Sequence, residues 1–268
     1  MRIVNRKADL LVPMVTDELV RNVTEAWGRD GAEWLDRLPG LVAEIEQQWS
    51  IRSSEPFDLS YSYVAPAARA DGAEVVLKLC VPNDECNREV AALGMFGGRG
   101  AVRLLKSDPE RGAMLLERLK PGAPLGDVKD DQRTISIAAT VMRRLWQPVR
   151  GEHPFDEIST HEGGLEWLQR QLDGPGPVPK PLVVRAEGTL REILEEGSDP
   201  VLLHGDLHPW NIISAEGRRW LAIDPKGIVG DPAYELGPFI YSMRLPHDQP
   251  ARAIARRLDQ IAEELGFD

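Results

Sequence analysis

The stretch that decides the fold is HGDLHPWN at His204–Asn211, followed by WLAID at Trp220–Asp224. It places a carboxylate at Asp206, an amide at Asn211 and a second carboxylate, Asp224, at the end of an apolar run. Phosphoryl transfer needs a base that orients the acceptor hydroxyl and a magnesium ion that neutralises charge. The spacing therefore predicts magnesium-assisted phosphoryl transfer with Asp206 as the catalytic base.

Asn211 and Asp224 offer oxygen atoms to a hard cation. Magnesium keeps several waters and takes few protein ligands, so one amide and one carboxylate are enough. Pro225-Lys226-Gly227 follows Asp224, and the Phe of the protein-kinase DFG motif, which sets the active and inactive states, is absent. We therefore expect Asn211 and Asp224 to bind Mg²⁺ in a kinase without activation-loop control.

The flanking residues support this geometry. Short apolar runs predict one strand at 201–203 and a hairpin formed by 211–214 and 220–223, joined by a turn at 215–218. Such a hairpin holds Asn211 and Asp224 at neighbouring strand ends. An iron site is one alternative, because His204, Asp206 and a distant residue such as His247 imitate a two-His-one-carboxylate triad. That alternative gives Asn211 and Asp224 no role.

Lys78 interrupts the apolar strand predicted at Glu74–Cys80. An ammonium group is costly to bury without an anionic partner. Glu89 lies on the next predicted helix, which begins near Asn83 or Asp84. In kinases such a pair directs the lysine at the first two phosphates of ATP. We therefore expect Lys78 to contact phosphate and Glu89 to hold it.

Two further segments are candidates for nucleotide binding. The segment 61–66, between strands predicted at 58–60 and 75–76, contains no G-x-G-x-x-G motif, so Ser60, Ser62 or backbone amides remain the candidates for capping phosphates. The second arm of a predicted hairpin ends at Lys120–Gly122, which we interpret as a hinge between lobes. Backbone groups at such a strand exit bind the adenine edge in kinases. The expected adenine contacts are Leu116, Glu117, Arg118 and Leu119.

Together these motifs resemble the aminoglycoside and hydroxyurea phosphotransferases, specifically the streptomycin 6-kinase group. The matching segments are Gly98–Leu105, Met114–Leu119, His204–His208, Ala222–Pro225 and Val229–Pro232, with earlier matches at Trp34–Pro39, Tyr63–Pro66 and Ala70–Gly72. The resemblance implies an α+β, two-lobed protein-kinase-like fold. It also implies ATP and Mg²⁺ as cofactors, with Asp206, Asn211, Asp224, Lys78 and Glu89 in the roles given above.

The periodicity of the whole chain agrees with that fold. It predicts an N-terminal helical segment (1–56), a small lobe of antiparallel strands with one helix (57–119) and a larger, mostly helical lobe (120–268). The resemblance implies that the small lobe holds the nucleotide and that the larger lobe carries catalysis and acceptor binding. Helical runs in the larger lobe are 131–146, 164–172 and 181–196, and the Gly174–Pro181 stretch breaks them. Compared with the group it resembles, the chain stops before further C-terminal helices, so we expect part of the acceptor pocket to be absent.

The acceptor and the other partners are less well defined by sequence. Candidate acceptor contacts are Asp231, Tyr234 and Glu235, because carboxylates and aromatic faces suit guanidinium or ammonium groups. Asp231 either caps the helix that follows it or braces the loop His204–Asn211, which we call the catalytic loop. The net charge of −11, from 43 acidic and 32 basic residues, favours a cationic acceptor and disfavours nucleic acid and anionic membranes.

No apolar run approaches the length of a membrane-spanning helix, and the N-terminal residues do not resemble a signal peptide. Cys80 and Cys86 lack metal-ligand or C-x-x-C spacing, so we expect reduced thiols in a cytoplasmic protein. The sequence thus predicts an ATP-dependent kinase that phosphorylates a hydroxyl group of a small molecule, and the resemblance implies that this acceptor is streptomycin or a related aminoglycoside. The alternatives are a kinase of hydroxyurea or another small alcohol, and an inactive relic that still binds nucleotide.

Overall fold

A computed structural model of the protein describes residues 15–159, 180–196, 199–245 and 248–267. The helices of this part are α1 (Asp17–Trp49), α2 (Asp84–Phe96), α3 (Asp131–Leu145), α4 (Lys180–Glu196), α5 (Leu236–Ser242) and α6 (Pro250–Leu265). The strands are β1 (Ile51–Ser53), β2 (Tyr63–Arg69), β3 (Glu74–Leu79), β4 (Leu104–Asp108), β5 (Ala113–Glu117), β6 (Gln147–Pro148), β7 (Asp156–Glu157), β8 (Val201–Leu203), β9 (Ile212–Ala215), β10 (Arg219–Ala222) and β11 (Ile228–Gly230). The predicted helix at 164–172, most of the predicted break at 174–181 and His247 lie outside the described residues.

The chain divides into two compact units. One holds the chain up to Val90 together with Arg103–Arg118, and the other holds Ala91–Val102 and the chain from Leu119 onward. The boundaries differ from the expected ones because α1 is not a separate segment: its buried side chains share one hydrophobic cluster with those of the sheet in the first unit. The predicted α+β class, with an antiparallel sheet in one unit and mostly helices in the other, is confirmed.

Helix α1 begins after Thr16, whose hydroxyl accepts a hydrogen bond from the Leu19 amide at 3.2 Å. This cap satisfies one of the N–H groups that a helix start leaves without an intrahelical partner. Gly28, with a φ of 53°, interrupts the helical geometry. Both parts of α1 bury apolar side chains against the sheet, namely Leu19, Val23, Trp34, Leu38, Val42, Ile45 and Trp49.

The sheet of the first unit has the order β1-β2-β3-β5-β4, and its strands pair antiparallel. The predicted strand at 58–60 and the predicted loop at 61–66 are wrong in position, since β2 begins at Tyr63 and residues 54–62 connect β1 to β2. Alternating burial of Tyr63, Ala65 and Ala67 explains the strand. Pro66 lies within this strand, and its backbone carbonyl accepts a hydrogen bond from the Ser54 amide at 2.8 Å.

The second unit contains the hairpin β9–β10 and a small sheet of order β6-β8-β11-β7. The strand predicted at 201–203 and the predicted hairpin are thereby confirmed. Helix α6 joins α3 through a nearly buried guanidinium, that of Arg257, which lies 2.8 Å from the Asp131 carboxylate. This ion pair offsets the cost of burying the Arg257 charge.

The prediction of reduced thiols is wrong, because a disulfide joins Cys80, just after β3, to Cys86 on α2. The start of α2 at Asp84 turns the chain back, so that the two Cα atoms lie 6.3 Å apart, within the usual range for a disulfide. Among the helices that the structure describes, none combines the length and apolar composition that crossing a membrane requires.

Candidate active site

The loop that carries Asp206 follows β8 and turns sharply at Gly205. The Gly205 φ of 84° favours a residue without a Cβ. A Cβ at this position would also lie 2.8 Å from side-chain carbons of Ile228 on β11. Leu207 is fully buried, whereas Asp206 keeps part of its surface exposed. The loop therefore fixes its neighbours in the core and leaves the Asp206 carboxylate accessible.

His204 is fully buried, and both nitrogens of its ring have backbone partners. Nε2 lies 2.8 Å from the Ile223 carbonyl oxygen, and Nδ1 accepts a hydrogen bond from the Asp206 amide at 3.2 Å. One neutral tautomer, with the proton on Nε2, satisfies both contacts. Burial lowers the pKa of His204 to about 4, which keeps the ring neutral.

These contacts exclude the alternative iron site built on His204, since both of its ring nitrogens are already engaged. Within the described part of the chain, no group of three or more His, Cys, Asp or Glu side chains is arranged to hold a metal. His204 is instead a structural member of the catalytic loop. Its place before Asp206 was visible in the sequence, but its burial was not.

Asn211 and Asp224 lie beside the loop as the hairpin requires. The Asn211 side-chain Nδ2 donates to the Asp206 carbonyl oxygen at 3.0 Å, and the Asn211 amide donates to His208 Nδ1 at 3.2 Å. The Asn211 carbonyl oxygen accepts from the Ile223 amide at 2.9 Å. Since Asp224 is the next residue, the structure brings Asp206, Asn211 and Asp224 together.

The donor set of this group fits magnesium. The side-chain Nδ2 of Asn211 is used on the Asp206 carbonyl, which directs that amide so that Oδ1 is its atom for a cation. Asp224 has a left-handed backbone with a φ of 59°, which Asp tolerates better than most residues. One amide oxygen and one carboxylate are the few protein ligands that Mg²⁺ takes when it also binds phosphates and water.

Glu235 has a different place from the one expected for an acceptor contact. It is fully buried, and its carboxylate oxygens accept hydrogen bonds from the amides of His204 at 2.7 Å and Gly205 at 3.0 Å. Burial raises the pKa of Glu235 to about 7, and the backbone hydrogen bonds from His204, Gly205 and Leu207 oppose that rise. Glu235 therefore braces the catalytic loop and does not face an acceptor.

Asp231 and Tyr234 belong to the same short 3-10 helix, Pro232–Glu235. The Asp231 side chain caps it by accepting a hydrogen bond from the Ala233 amide at 2.7 Å. This hydrogen bond shows the capping role, one of the two considered for Asp231. Tyr234 packs against the buried cluster of Ile158, Leu203 and Ile228, and burial raises the pKa of its hydroxyl. Both Asp231 and Tyr234 keep part of their surface accessible.

Lys78 and Glu89 form a nearly buried ion pair in the first unit. Lys78 Nζ lies 2.6 Å from Glu89 Oε1, and the two side chains are 5% and 11% exposed. Lys78 sits on β3, the central strand of the sheet, opposite Val64 of β2. Removing water from both groups is costly unless they pair, so this contact fixes the direction of the Lys78 side chain relative to α2.

The expected adenine contacts lie at the end of β5 and just beyond it. Leu116 pairs with Val76 inside the sheet. The Glu117 amide donates to the Arg103 carbonyl oxygen at 3.0 Å, while the Glu117 side chain accepts from the Arg103 amide at 2.9 Å. Because the Glu117 amide already donates to the Arg103 carbonyl oxygen, Arg118 and Leu119 are the better candidates for hydrogen bonds to the adenine edge.

The remaining nucleotide candidates, Ser60 and Ser62, lie in the connection between β1 and β2. Ser60 is exposed and Ser62 is half-buried. Val64, two residues after Ser62, pairs with Lys78. The end of this connection therefore reaches the strand position next to Lys78.

Trp210 is a residue of this loop that the sequence motifs do not predict as part of the site. It lies in the catalytic loop between Asp206 and Asn211 and is 50% exposed. Its indole packs onto Gly126 so closely that a Cβ there would come within 2.7 Å of the ring. The sequence signal that could have found it is an aromatic residue one position before Asn211, the predicted metal ligand.

Kinase-like phosphotransferases are the class of protein that this fold and this loop define. The family described as "Aminoglycoside/hydroxyurea antibiotic resistance kinase" matches residues 48–268. Since this match covers well over half of the sequence, the chain belongs to that family, whose members transfer phosphoryl groups to small molecules. The predicted family is thereby confirmed, and kinase activity implies ATP as the donor.

Similar proteins of known activity agree with this assignment. Streptomycin 6-kinase of Streptomyces glaucescens is 32% identical over 95% of this chain and 84% of its own length. Hydroxyurea phosphotransferase of Kitasatospora aureofaciens is 35% identical over 94% of this chain and 73% of its own. The crystal structure of aminoglycoside phosphotransferase APH(3'')-Id from Streptomyces rimosus, in complex with ADP and streptomycin, shares the fold, with a TM-score of 0.58 and 20% identity over 87% of this chain and 92% of that one.

Replacing Glu235 tests its role as a brace. In Glu235→Gln one carboxylate oxygen becomes an NH₂ group that faces a backbone N–H, so a buried donor loses its partner. We expect the free energy of unfolding to fall by about 2 kcal/mol and kcat to fall at least tenfold, with little change in the KM for ATP. Denaturant unfolding and steady-state kinetics measure both. A variant with normal kcat would contradict the role.

His204 gives a pH-dependent prediction. The unfolded chain binds a proton on this imidazole below about pH 6.5, whereas the folded protein does so only near pH 4. The stability that His204 contributes is thus complete above about pH 6.5 and is lost as the pH falls toward 4. We expect the difference in unfolding free energy between the wild type and His204→Asn to shrink by about 1 to 2 kcal/mol from pH 7 to pH 5. A difference that stays constant over this range would show that His204 can be protonated in the folded state.

Proposed function

We propose that the chain transfers the terminal phosphoryl group of ATP to a hydroxyl group of streptomycin or a related aminoglycoside. The single observation that carries the proposal is the grouping of an accessible Asp206 with Asn211 and Asp224, held by hydrogen bonds to His204, His208 and Ile223. Two relatives with high coverage carry streptomycin 6-kinase as their name, from Streptomyces glaucescens and Streptomyces griseus.

In this mechanism Asp206 orients the acceptor hydroxyl and takes its proton. The hydroxyl oxygen forms a bond to the terminal phosphorus, the bond to the bridging oxygen breaks, and ADP leaves. The Lys78 ammonium, held by Glu89, contacts the phosphates. Asn211 and Asp224 would hold Mg²⁺, which supplies positive charge to the phosphate oxygens when it is bound. The adenine edge would meet backbone groups of Arg118 and Leu119.

The acceptor side is proposed from the surface around the catalytic loop. Asp231 and Tyr234 remain candidates because each keeps accessible surface, and the half-exposed indole of Trp210 adds an aromatic face. Cations bind such faces and carboxylates favourably. An acidic chain with a net charge of −11 also attracts a cationic acceptor over long range. We place the reaction in the cytoplasm, where ATP is available.

The second candidate function is phosphorylation of hydroxyurea, because a hydroxyurea phosphotransferase is 35% identical to this chain. Hydroxyurea is small and neutral, so it gains little from an aromatic face or from carboxylates. The exposed Trp210 therefore favours streptomycin over hydroxyurea.

Two substitutions separate the proposed roles of the carboxylates. Asp206→Asn removes the base and leaves the nucleotide site in place, so we expect turnover to fall by roughly two or more orders of magnitude with nearly unchanged nucleotide affinity. Asp224→Ala should instead abolish the magnesium dependence of nucleotide binding. Acceptor-dependent ADP release and titration calorimetry with and without Mg²⁺ measure these effects. Normal turnover in Asp206→Asn would refute its role as base.

An acceptor panel identifies the substrate. With streptomycin, hydroxyurea and other aminoglycosides, we expect ADP release to be stimulated most by streptomycin. Trp210→Ala should raise the KM for streptomycin about tenfold, the range of a partly desolvated cation–π contact, while Trp210→Phe retains most of the affinity. The KM for ATP should not change in either variant. Stimulation by hydroxyurea alone would transfer the proposal to the second candidate, and ATP binding without turnover on any acceptor would identify a relic.

A further inference from the structure

The connection between β1 and β2, residues 54–62, carries the candidate phosphate contacts Ser60 and Ser62 but lacks the glycine motif of phosphate-covering loops. It begins as a continuation of the hairpin, because the Ser54 amide donates to the Pro66 carbonyl at 2.8 Å and the Phe57 amide donates to the Val64 carbonyl at 2.9 Å. Its tip is therefore 58–62. Since Val64 pairs with Lys78, this tip leads directly into the strand that flanks the phosphate-contacting lysine.

Residues 54–62 contain no glycine, and side chains of the same unit contact this loop. The ring of Phe57 lies 4.7 Å from the Arg118 guanidinium. Leu59 is 3% exposed and belongs to the same buried cluster as Leu19 and Val23 of α1. One side of the tip is thus anchored in the core that α1 builds.

The other contacts of the tip also come from α1. Asn22 Nδ2 donates to the Ser60 carbonyl oxygen at 3.2 Å. The ring of Trp27 meets the ring of Tyr61 edge to face, with centroids 6.2 Å apart and planes at 85°. Trp27 itself packs against the buried cluster, so its ring has a fixed position against which the half-exposed Tyr61 packs. The two neighbouring residues Ser60 and Tyr61 are thus each in contact with a residue of α1.

We propose that Asn22 and Trp27 are positioning residues that hold the 54–62 loop over the phosphates of ATP. Helix α1 thereby fixes the backbone of this loop, as glycine turns do in other kinases. These two residues precede the part of the chain that matches the family, residues 48–268. The proposal rests on the proposed function, because it takes ATP as the ligand of this loop.

The contacts define the effect of each substitution. An edge-to-face aromatic pair and one hydrogen bond together are worth enough to change affinity severalfold. Trp27→Ala and Tyr61→Ala each remove the same ring contact, so their effects on ATP affinity should not add in the double variant. Trp27→Phe keeps an aromatic edge and should restore binding. Asn22→Leu keeps roughly the size of the side chain and its neutral charge but loses the N–H donor.

The matched control is Glu33→Ala, on the same helix, where Glu33 forms an exposed ion pair with Arg29. This control should bind ATP like the wild type. Thermal unfolding of each variant shows whether α1 still packs. Because Tyr61 is 52% exposed, Tyr61→Ala should fold even if Trp27→Ala does not.

The test is the dissociation constant of ATP, ADP and adenosine, measured by calorimetry without an acceptor. We expect Trp27→Ala, Tyr61→Ala and Asn22→Leu to weaken the binding of ATP by about three- to tenfold. The binding of ADP should weaken less, and that of adenosine should not change. In turnover the KM for ATP should rise by the same factor at nearly constant kcat. Folded variants that bind ATP as the wild type does, or that lose adenosine and ATP equally, would overturn the proposal.

Kinase activity and the role of α1 are distinguished by different measurements. If no acceptor stimulates ADP release by the wild type, but Trp27→Ala still weakens ATP more than adenosine, the kinase function is lost and the role of α1 stands. If the wild type binds ATP no better than adenosine, the loop does not cover phosphates and the role of α1 is refuted.

Discussion

The arrangement of the catalytic loop depends on one buried carboxylate, that of Glu235. A charge in a protein interior is costly, and its cost is offset only when hydrogen-bond donors surround it. Here the donors are the amides of the loop itself, at His204 and Gly205. The same contact therefore stabilises the carboxylate and fixes the backbone that leads to Asp206. Everything proposed for Asp206 assumes that this backbone does not move.

His204 adds a second constraint on the same loop from the opposite direction. Its ring spans from the Asp206 amide to the Ile223 carbonyl oxygen, so it ties the loop to the residue that precedes Asp224. A protonated ring would place a donor at Nδ1 against the Asp206 N–H. The lowered pKa of His204 and the accepted hydrogen bond are thus consistent with each other, and both keep the proposed base and metal ligand in register.

The sequence predicted the parts of the fold that local pattern determines. The strand at 201–203 and the hairpin after Asn211 follow from short apolar runs and a turn. Because Lys78 interrupts a buried strand, the sequence also predicts that it pairs with an acidic side chain. Glu235 could not be placed in the same way. The amides that donate to its carboxylate belong to His204 and Gly205, which precede it by 31 and 30 residues. A local hydrophobic pattern cannot predict a contact over that distance. In the sequence Glu235 is only a carboxylate beside the apolar run of α5, which is equally consistent with the acceptor contact predicted for it.

The β1–β2 connection shows why the phosphate loop was harder to predict than the catalytic loop. The catalytic loop has polar residues at fixed spacing, because its chemistry requires particular groups at particular positions. A loop that covers phosphates with backbone amides requires a shape, and different sequences can produce it. Glycine turns are one solution that a motif can detect. Packing of Leu59, Ser60 and Tyr61 against α1 is another, and it becomes visible only when residues 22 and 27 are seen beside residues 60 and 61.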